Sequence, residues 1–157
     1  MSVGDASDWP PLSELLPQAG PMSLLDRVEA HDEERTACTA VPSASVLFRN
    51  SEGAVPAWVG IEYMAQCAAV HGGLLARSRG EPPRPGLFVG SRRLVFRCEA
   101  FAPDAALVVT ARHAAGRGDS LAFDCTVEDP AGGPPLVEGR LNVLLLRELP
   151  APAEASR

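Results

Sequence analysis

Between Val55 and Ala76 the chain is almost wholly apolar, yet it carries Glu62, Gln66 and His71. Burying an ionised carboxylate without a partner costs on the order of several kcal/mol. A glutamate among Val59, Ile61, Met64, Ala65, Ala68 and Ala69 must therefore be paired or hold its proton. Either condition suits proton transfer. The competing reading is a surface glutamate at a helix start, where the dipole favours a negative charge. Gln66 follows one helical turn later and shares a face with Glu62. Its amide can orient the carboxylate or satisfy a buried backbone group, and the sequence does not choose between them. His71 is half a turn out of phase with Glu62 and belongs on the opposite face. His31 opens a polar turn and His113 sits near a strand end, so all three histidines read as surface or packing residues.

The segment that holds Glu62 reads as one long helix. Pro56 suits its first turn, because a missing N–H costs nothing there. The helix runs to about Arg79 and stops at Gly80, with Arg77 and Arg79 where cations suit the dipole. A helical turn is expected at Leu12–Leu16, stopped by Pro17. Strands are expected at Ser23–Ala30 and Thr36–Val41, separated by the polar turn HDEER. An irregular stretch, Phe48–Val55, leads into the helix. Four more strands follow: Leu87–Cys98, Ala105–Ala114, Ser120–Glu128 and Leu136–Leu146. Alternation is clear at Leu107, Val109 and Ala111, and the breaks AFAPDA, AGRGD and DPAGGPP are turn-like, so antiparallel pairing is expected. A helix apolar nearly all round must be covered on several sides. A curved antiparallel sheet enclosing one central helix meets that need. This is an α+β class, the hot-dog arrangement, and its exposed edges call for pairing with a second copy or a relative.

The chain has 157 residues, one domain's worth, with 46% hydrophobic and 22% charged residues, which suits a globular protein. The domain is expected over 11–147, with loose ends at 1–10 and 148–157. A net charge of −6 argues against nucleic acid as the main partner. Cys38, Cys67, Cys98 and Cys125 lack metal-ligand spacing and read as reduced thiols of a cytoplasmic protein. The opening MSVGDASDWPP has neither the basic start nor the apolar run of a secretory signal. Charged and polar groups inside Val55–Ala76 argue against a membrane span. No nucleotide-binding glycine motif is present, and GRGD at 116–119 reads as a hairpin turn.

Three segments in order carry a resemblance. LLPQAGPMSLLDRV (15–28), VPAWVGIEYMAQ (55–66) and GSRRLVFRCEAFAPDAALVV (90–109) resemble the 3-hydroxyacyl-acyl-carrier-protein dehydratases of the FabA/FabZ hot-dog family. The wording PAWVGIEYMAQ, with GSRR after it, is most similar to the ApeP-type branch associated with aryl polyene pigments and related fatty-acid-type pathways. The resemblance spans roughly Leu15 to Leu146. It implies that Glu62 is the catalytic carboxylate, with Gln66 beside it. It also implies that backbone N–H groups at Ala57 or Trp58 polarise the thioester carbonyl, a task suited to free helix-start donors. No cofactor is implied beyond the phosphopantetheine arm of an acyl carrier protein, and a homodimer or heterodimer with a hot-dog paralogue is implied.

One family element is missing. The relatives pair the carboxylate with a histidine about fourteen residues upstream, whereas LFRNSEGAVPA has none and an ungapped count lands on Phe48. Three explanations stand open: a histidine-bearing partner completes the site, Glu62 works alone on a water as in hot-dog thioesterases, or the chain is a silent acyl-binding, stabilising subunit. The retained helix setting of Glu62 favours the first. Six arginines, Arg77, Arg79, Arg84, Arg92, Arg93 and Arg97, stand against one acid, Glu81, between 77 and 97. Such a patch suits docking of an acidic carrier protein, with Arg92, Arg93 and Arg97 as the expected contacts.

Overall fold

The computed structural model describes residues 8–16 and 20–148. Eight strands and one long helix appear in chain order: β1 (Arg27–His31), β2 (Arg35–Ala40), β3 (Val55–Pro56), α1 (Gly60–Ser78), β4 (Gly86–Phe96), β5 (Ala100–Phe101), β6 (Leu107–Arg117), β7 (Ser120–Glu128) and β8 (Val137–Leu145). Six of the strands form one antiparallel sheet in the order β1-β2-β6-β7-β8-β4. The helix packs on its inner face, chiefly against β6, β2 and β7. This is the hot-dog arrangement that the element order implied.

Alternation places the core. Leu107, Val109 and Ala111 of β6 are buried, as are Phe123, Cys125 and Val127 of β7 and Val137 and Leu141 of β8. Val109 pairs with Val127, Val127 with Val137, Ala111 with Cys125 and Phe123 with Leu141, and against this face Tyr63, Met64, Cys67 and Val70 of α1 are buried. Trp9, assigned by sequence to the loose N-terminal end, is half-buried against this core and meets His31 edge-on at 5.6 Å. Residues 1–7 of that end, and nearly all of the expected C-terminal tail, lie outside the described residues, as does the expected stop at Pro17.

Pro56 does not open the helix directly. Val55 and Pro56 pair with Phe101 and Ala100 of β5, and the N–H of Ala57 continues that ladder to the carbonyl of Glu99 at 2.9 Å. This pairing joins segments far apart in sequence, so no local signal announces it. A single 3-10 turn, Ala57–Val59, then leads into α1. Gly60 lets the helix start lie close to the sheet: a β-carbon there would stand 3.2 Å from both Phe101 and Val137. At the far end Gly80 takes a φ of +67°, the left-handed conformation expected just beyond a helix.

The sheet does not cover the helix completely. Glu62, Ala65, Ala69 and Gly72 recur at helical spacing along a stripe that is less buried than the rest of α1. Opposite this stripe stands β4, the terminal strand, whose Leu87, Phe88, Val89, Val95 and Phe96 are all exposed.

Candidate active site

Glu62 lies in the first turn of α1 and is half-buried. Gln66, one turn on, has no exposed surface at all. Its Nε2 donates to Glu62 Oε1 at 2.9 Å and to the carbonyl of Met22 at 2.7 Å. Its Oε1 accepts the N–H of Leu24 at 3.0 Å. The two readings open at the sequence level therefore hold together: one amide satisfies buried backbone and also grips the carboxylate. Both amide hydrogens are committed and the oxygen is claimed, so this network fixes which way the amide faces. The Met22–Leu24 segment carried no signal that it would supply these partners.

Glu62 opens onto a groove of about 450 Å³, within the roughly 300–1,000 Å³ common for small-molecule sites. One wall is the alanine and glycine stripe of α1, and the other is built from Phe88, Leu121, Phe123, Val143 and Leu145. Small residues on the helix leave the space, and strand side chains from β4, β7 and β8 line it with apolar surface. Arg84 and Glu14 also line the groove. Glu14 is held by Arg77 at 2.9 Å, while Arg84 bonds Asp119 at 2.8 Å and the carbonyls of Leu145 and Leu146. No histidine lines the groove.

Of the two backbone donors expected at the helix start, Ala57 gives its N–H to the carbonyl of Glu99. Trp58 sits in the opening turn, where amides have no intrahelical partner. Its side chain is 58% exposed and meets Phe48 edge-on at 5.8 Å. Phe48 occupies the loop position where the family histidine was sought, and it adopts a φ of +66°, rare for a bulky residue. That loop position thus presents an exposed aromatic ring against Trp58.

The three histidines gather elsewhere. Thr36 Oγ1 lies 2.7 Å from His31 Nδ1 and 2.9 Å from His71 Nδ1. The hydroxyl gives its one proton to one ring nitrogen and its oxygen accepts the N–H of the other, so one ring donates and the other accepts. His71 is buried, and Phe123 lies edge-on to both His71 and His113. Burial pushes the His71 ring down to about 4, helped by the neighbouring charges of His31 and His113 and opposed by Asp32. His71 packs behind the Phe123 wall, with His31 half-buried and His113 exposed beside it. That His31, His71 and His113 would cluster was not legible from their spacing.

The expected arginine patch is spread over more than one environment. Arg97 is held by Glu138 at 2.9 Å. Arg92 stands opposite Arg140 on the outer face of the sheet, away from the helix and the groove. The expected docking set of Arg92, Arg93 and Arg97 therefore does not surround the groove, and Arg84 is the arginine that does. The four cysteines are free thiols; Cys38, Cys67 and Cys125 are buried and Cys98 is partly so. Among the described residues no cluster could hold a metal ion, and no helix is long and apolar enough to cross a membrane.

The ApeP-like family, described as ApeP dehydratase, matches residues 10–151. The chain belongs to the ApeP-like dehydratase family. Among solved structures it is similar to the dehydratase heterocomplex ApeI:P from Xenorhabdus doucetiae, at 26% identity and a TM-score of 0.82, covering 89% of this chain and 93% of that one. More distant likenesses show the fold alone. A hypothetical thioesterase with coenzyme A from Streptococcus pneumoniae shares 12% identity, with coverage of 76% and 84% and a TM-score of 0.58. The PaaI protein of E. coli shares 14%, with coverage of 74% and 80% and a TM-score of 0.57. No curated protein matches the sequence. This chain is thus a dehydratase-like hot-dog subunit, with Glu62 and Gln66 at the head of its groove.

Proposed function

We propose that this chain is one half of a 3-hydroxyacyl-carrier-protein dehydratase, completed by a histidine-bearing hot-dog partner, in aryl polyene or related fatty-acid-type biosynthesis in the cytoplasm. The observation that carries the proposal is the groove itself. It holds one carboxylate oriented by a buried amide, no histidine, and a side open toward an exposed apolar edge strand.

The chemistry needs two proton-transfer groups. An α-proton leaves the substrate and the β-hydroxyl departs as water, so one group takes a proton while another gives one. Glu62 supplies one of them, and a histidine from the partner supplies the other. The Trp58 N–H, in the opening turn of the helix, is suited to polarising the thioester carbonyl as the α-proton is removed. No further cofactor is required, because both steps are acid–base chemistry. The acyl chain lies along the Ala65–Ala69–Gly72 stripe, and Arg84 beside the groove meets the acidic carrier protein.

The partner claim rests on β4. A terminal strand with five exposed large apolar side chains is an edge that proteins seldom leave uncovered. The ApeI:P heterocomplex is a precedent for two dehydratase chains assembling. The test is conversion of a 3-hydroxyacyl carrier-protein thioester to the enoyl product by the chain alone and with a histidine-bearing hot-dog partner. Activity only in the mixture is expected. Full activity of the chain alone, or release of free thiol in place of the enoyl product, contradicts the proposal.

A further inference from the structure

The outer face of the sheet carries an unusual row of charge. Arg35, Arg112, Asp124, Arg140 and Arg92 stand opposite one another on five successive strands. Part of this row is internally neutralised. Arg140 grips Asp124 through Nε at 2.8 Å and Nη2 at 3.1 Å, and Arg112 reaches Glu34 at 3.3 Å. Arg92 and its neighbour Arg93 form no ion pair among the described residues.

Arg93 does not follow strand alternation. Adjacent residues of a regular strand point to opposite faces, so an outward Arg92 should put Arg93 inward. Instead the register with β8 shifts between Arg92 and Val95, and Arg93 takes a φ of +56°. That bulge brings Arg93 to the same outer hollow as Arg92 and Arg140. A non-glycine residue held in the left-handed region persists where the surroundings or a function require it.

The hollow measures about 330 Å³. Its floor includes Ala115 and Ala122, which face each other across β6 and β7, and Asn142 stands beside Ala122 on β8. Small floor residues leave room, the guanidiniums of Arg92 and Arg93 form the rim beside that of Arg140, whose Nε and Nη2 are held by Asp124, and no carboxylate lines it. Guanidinium groups match the several oxygens of a phosphate in paired hydrogen bonds, and Asn142 adds a neutral donor. The groove of Glu62 lies on the other side of the sheet, so an occupant here is not the arm of a thioester reacting at Glu62.

We infer that Arg92, Arg93 and Arg140 form a binding site for the oxyanion of a phosphate or phosphate ester on the outer face of the sheet. The occupant is free inorganic phosphate or the phosphate of a nucleotide-like small molecule. The site is independent of the dehydration reading.

Calorimetric titration of the full chain, with its partner where the two co-purify, tests this at fixed ionic strength. The probes are inorganic phosphate and adenosine 3′,5′-bisphosphate, with chloride as control. Saturable phosphate binding is expected, at least tenfold weaker in the Arg92→Ala/Arg93→Ala double variant and unchanged in Arg27→Ala, which lies on β1 at the opposite end of the sheet from β4. Arg93→Gly keeps the melting temperature, because glycine accepts the positive φ, yet loses the binding. Tighter binding of the bisphosphate assigns a nucleotide-like ligand, and equal binding assigns free phosphate. No saturable binding, or binding that survives in both the double variant and Arg93→Gly, overturns the inference. A glutamate-rich peptide that binds the hollow more tightly than either phosphate also overturns it, in favour of a protein contact.

Discussion

Gln66 donates to Glu62 at 2.9 Å from a position with no solvent exposure, and the same amide holds the backbone of both Met22 and Leu24. The carboxylate at the head of the groove is thereby tied to the segment before β1. Orientation and folding share one side chain.

Gln66→Leu therefore has two effects. It leaves the buried N–H of Leu24 and the part-buried carbonyl of Met22 without partners, a loss of about 1–3 kcal/mol of stability by denaturant titration. It also releases Glu62. On the proposed role, kcat falls roughly 10- to 100-fold, as expected for a misplaced catalytic group, while KM stays nearly constant. A stability loss with unchanged kcat would separate the two roles and assign Gln66 to structure alone.

His71 gives the fold a pH dependence of definite sign. Its ring is held at about 4 in the folded protein, against about 6.5 when unfolded. The unfolded chain thus takes up the proton first as pH falls. Stability is fully present above pH 6.5 and declines toward pH 4, by up to about 3 kcal/mol. His31 is shifted the same way by burial. Asp32, held below its ordinary value by backbone hydrogen bonds from Arg35 and Glu34, acts only at lower pH. Denaturant midpoints between pH 4 and 7.5 should slope for the natural chain and flatten for His71→Phe.

Gly60 is the point where the helix start approaches the sheet. Its missing β-carbon would lie 3.2 Å from Phe101, which is buried, and from Val137, which is also buried. Neither neighbour has free space to yield. Gly60→Ala should cost about 1–3 kcal/mol by overpacking, whereas Gly72→Ala, with nothing within 4 Å, should not. Equal thermal shifts in the two variants would remove the close approach from the account.

Much of this was legible because it is written in local periodicity. The bounds of β7 (Ser120–Glu128) follow from its flanking turns, and Leu107, Val109 and Ala111 face inward as their alternation requires. The helix was readable from its apolar run and from Gly80. What escaped involves residues distant in sequence or a break in a regular pattern. The pairing of Val55 and Pro56 with β5, the anchoring of Gln66 by Met22 and Leu24, and the gathering of three histidines near Thr36 and Phe123 all depend on the chain's return path. Arg92 and Arg93 were read as a linear patch. A bulge turns them to one outer face, and Glu138 takes Arg97 out of the set.

The exposed edge gives a direct test of assembly. Val89 is 57% exposed and Phe96 42% exposed on β4. Replacing both with glutamate should change the stability of the isolated chain by no more than about 1 kcal/mol. It should abolish co-elution with a hot-dog partner in size-exclusion chromatography. Retained co-elution would move the interface away from β4.

The central claim is that Glu62 supplies half of a two-chain active site. The most direct measurement is the turnover of a 3-hydroxyacyl carrier-protein thioester by the assembled pair, with Glu62→Gln in this chain and the partner untouched. The substitution keeps shape and the reach to Gln66 but removes the carboxyl group's capacity to take up and release a proton. The account expects a fall of roughly 100-fold or more in kcat, with assembly intact. Unchanged turnover in an intact Glu62→Gln complex would contradict it and leave this chain a structural subunit.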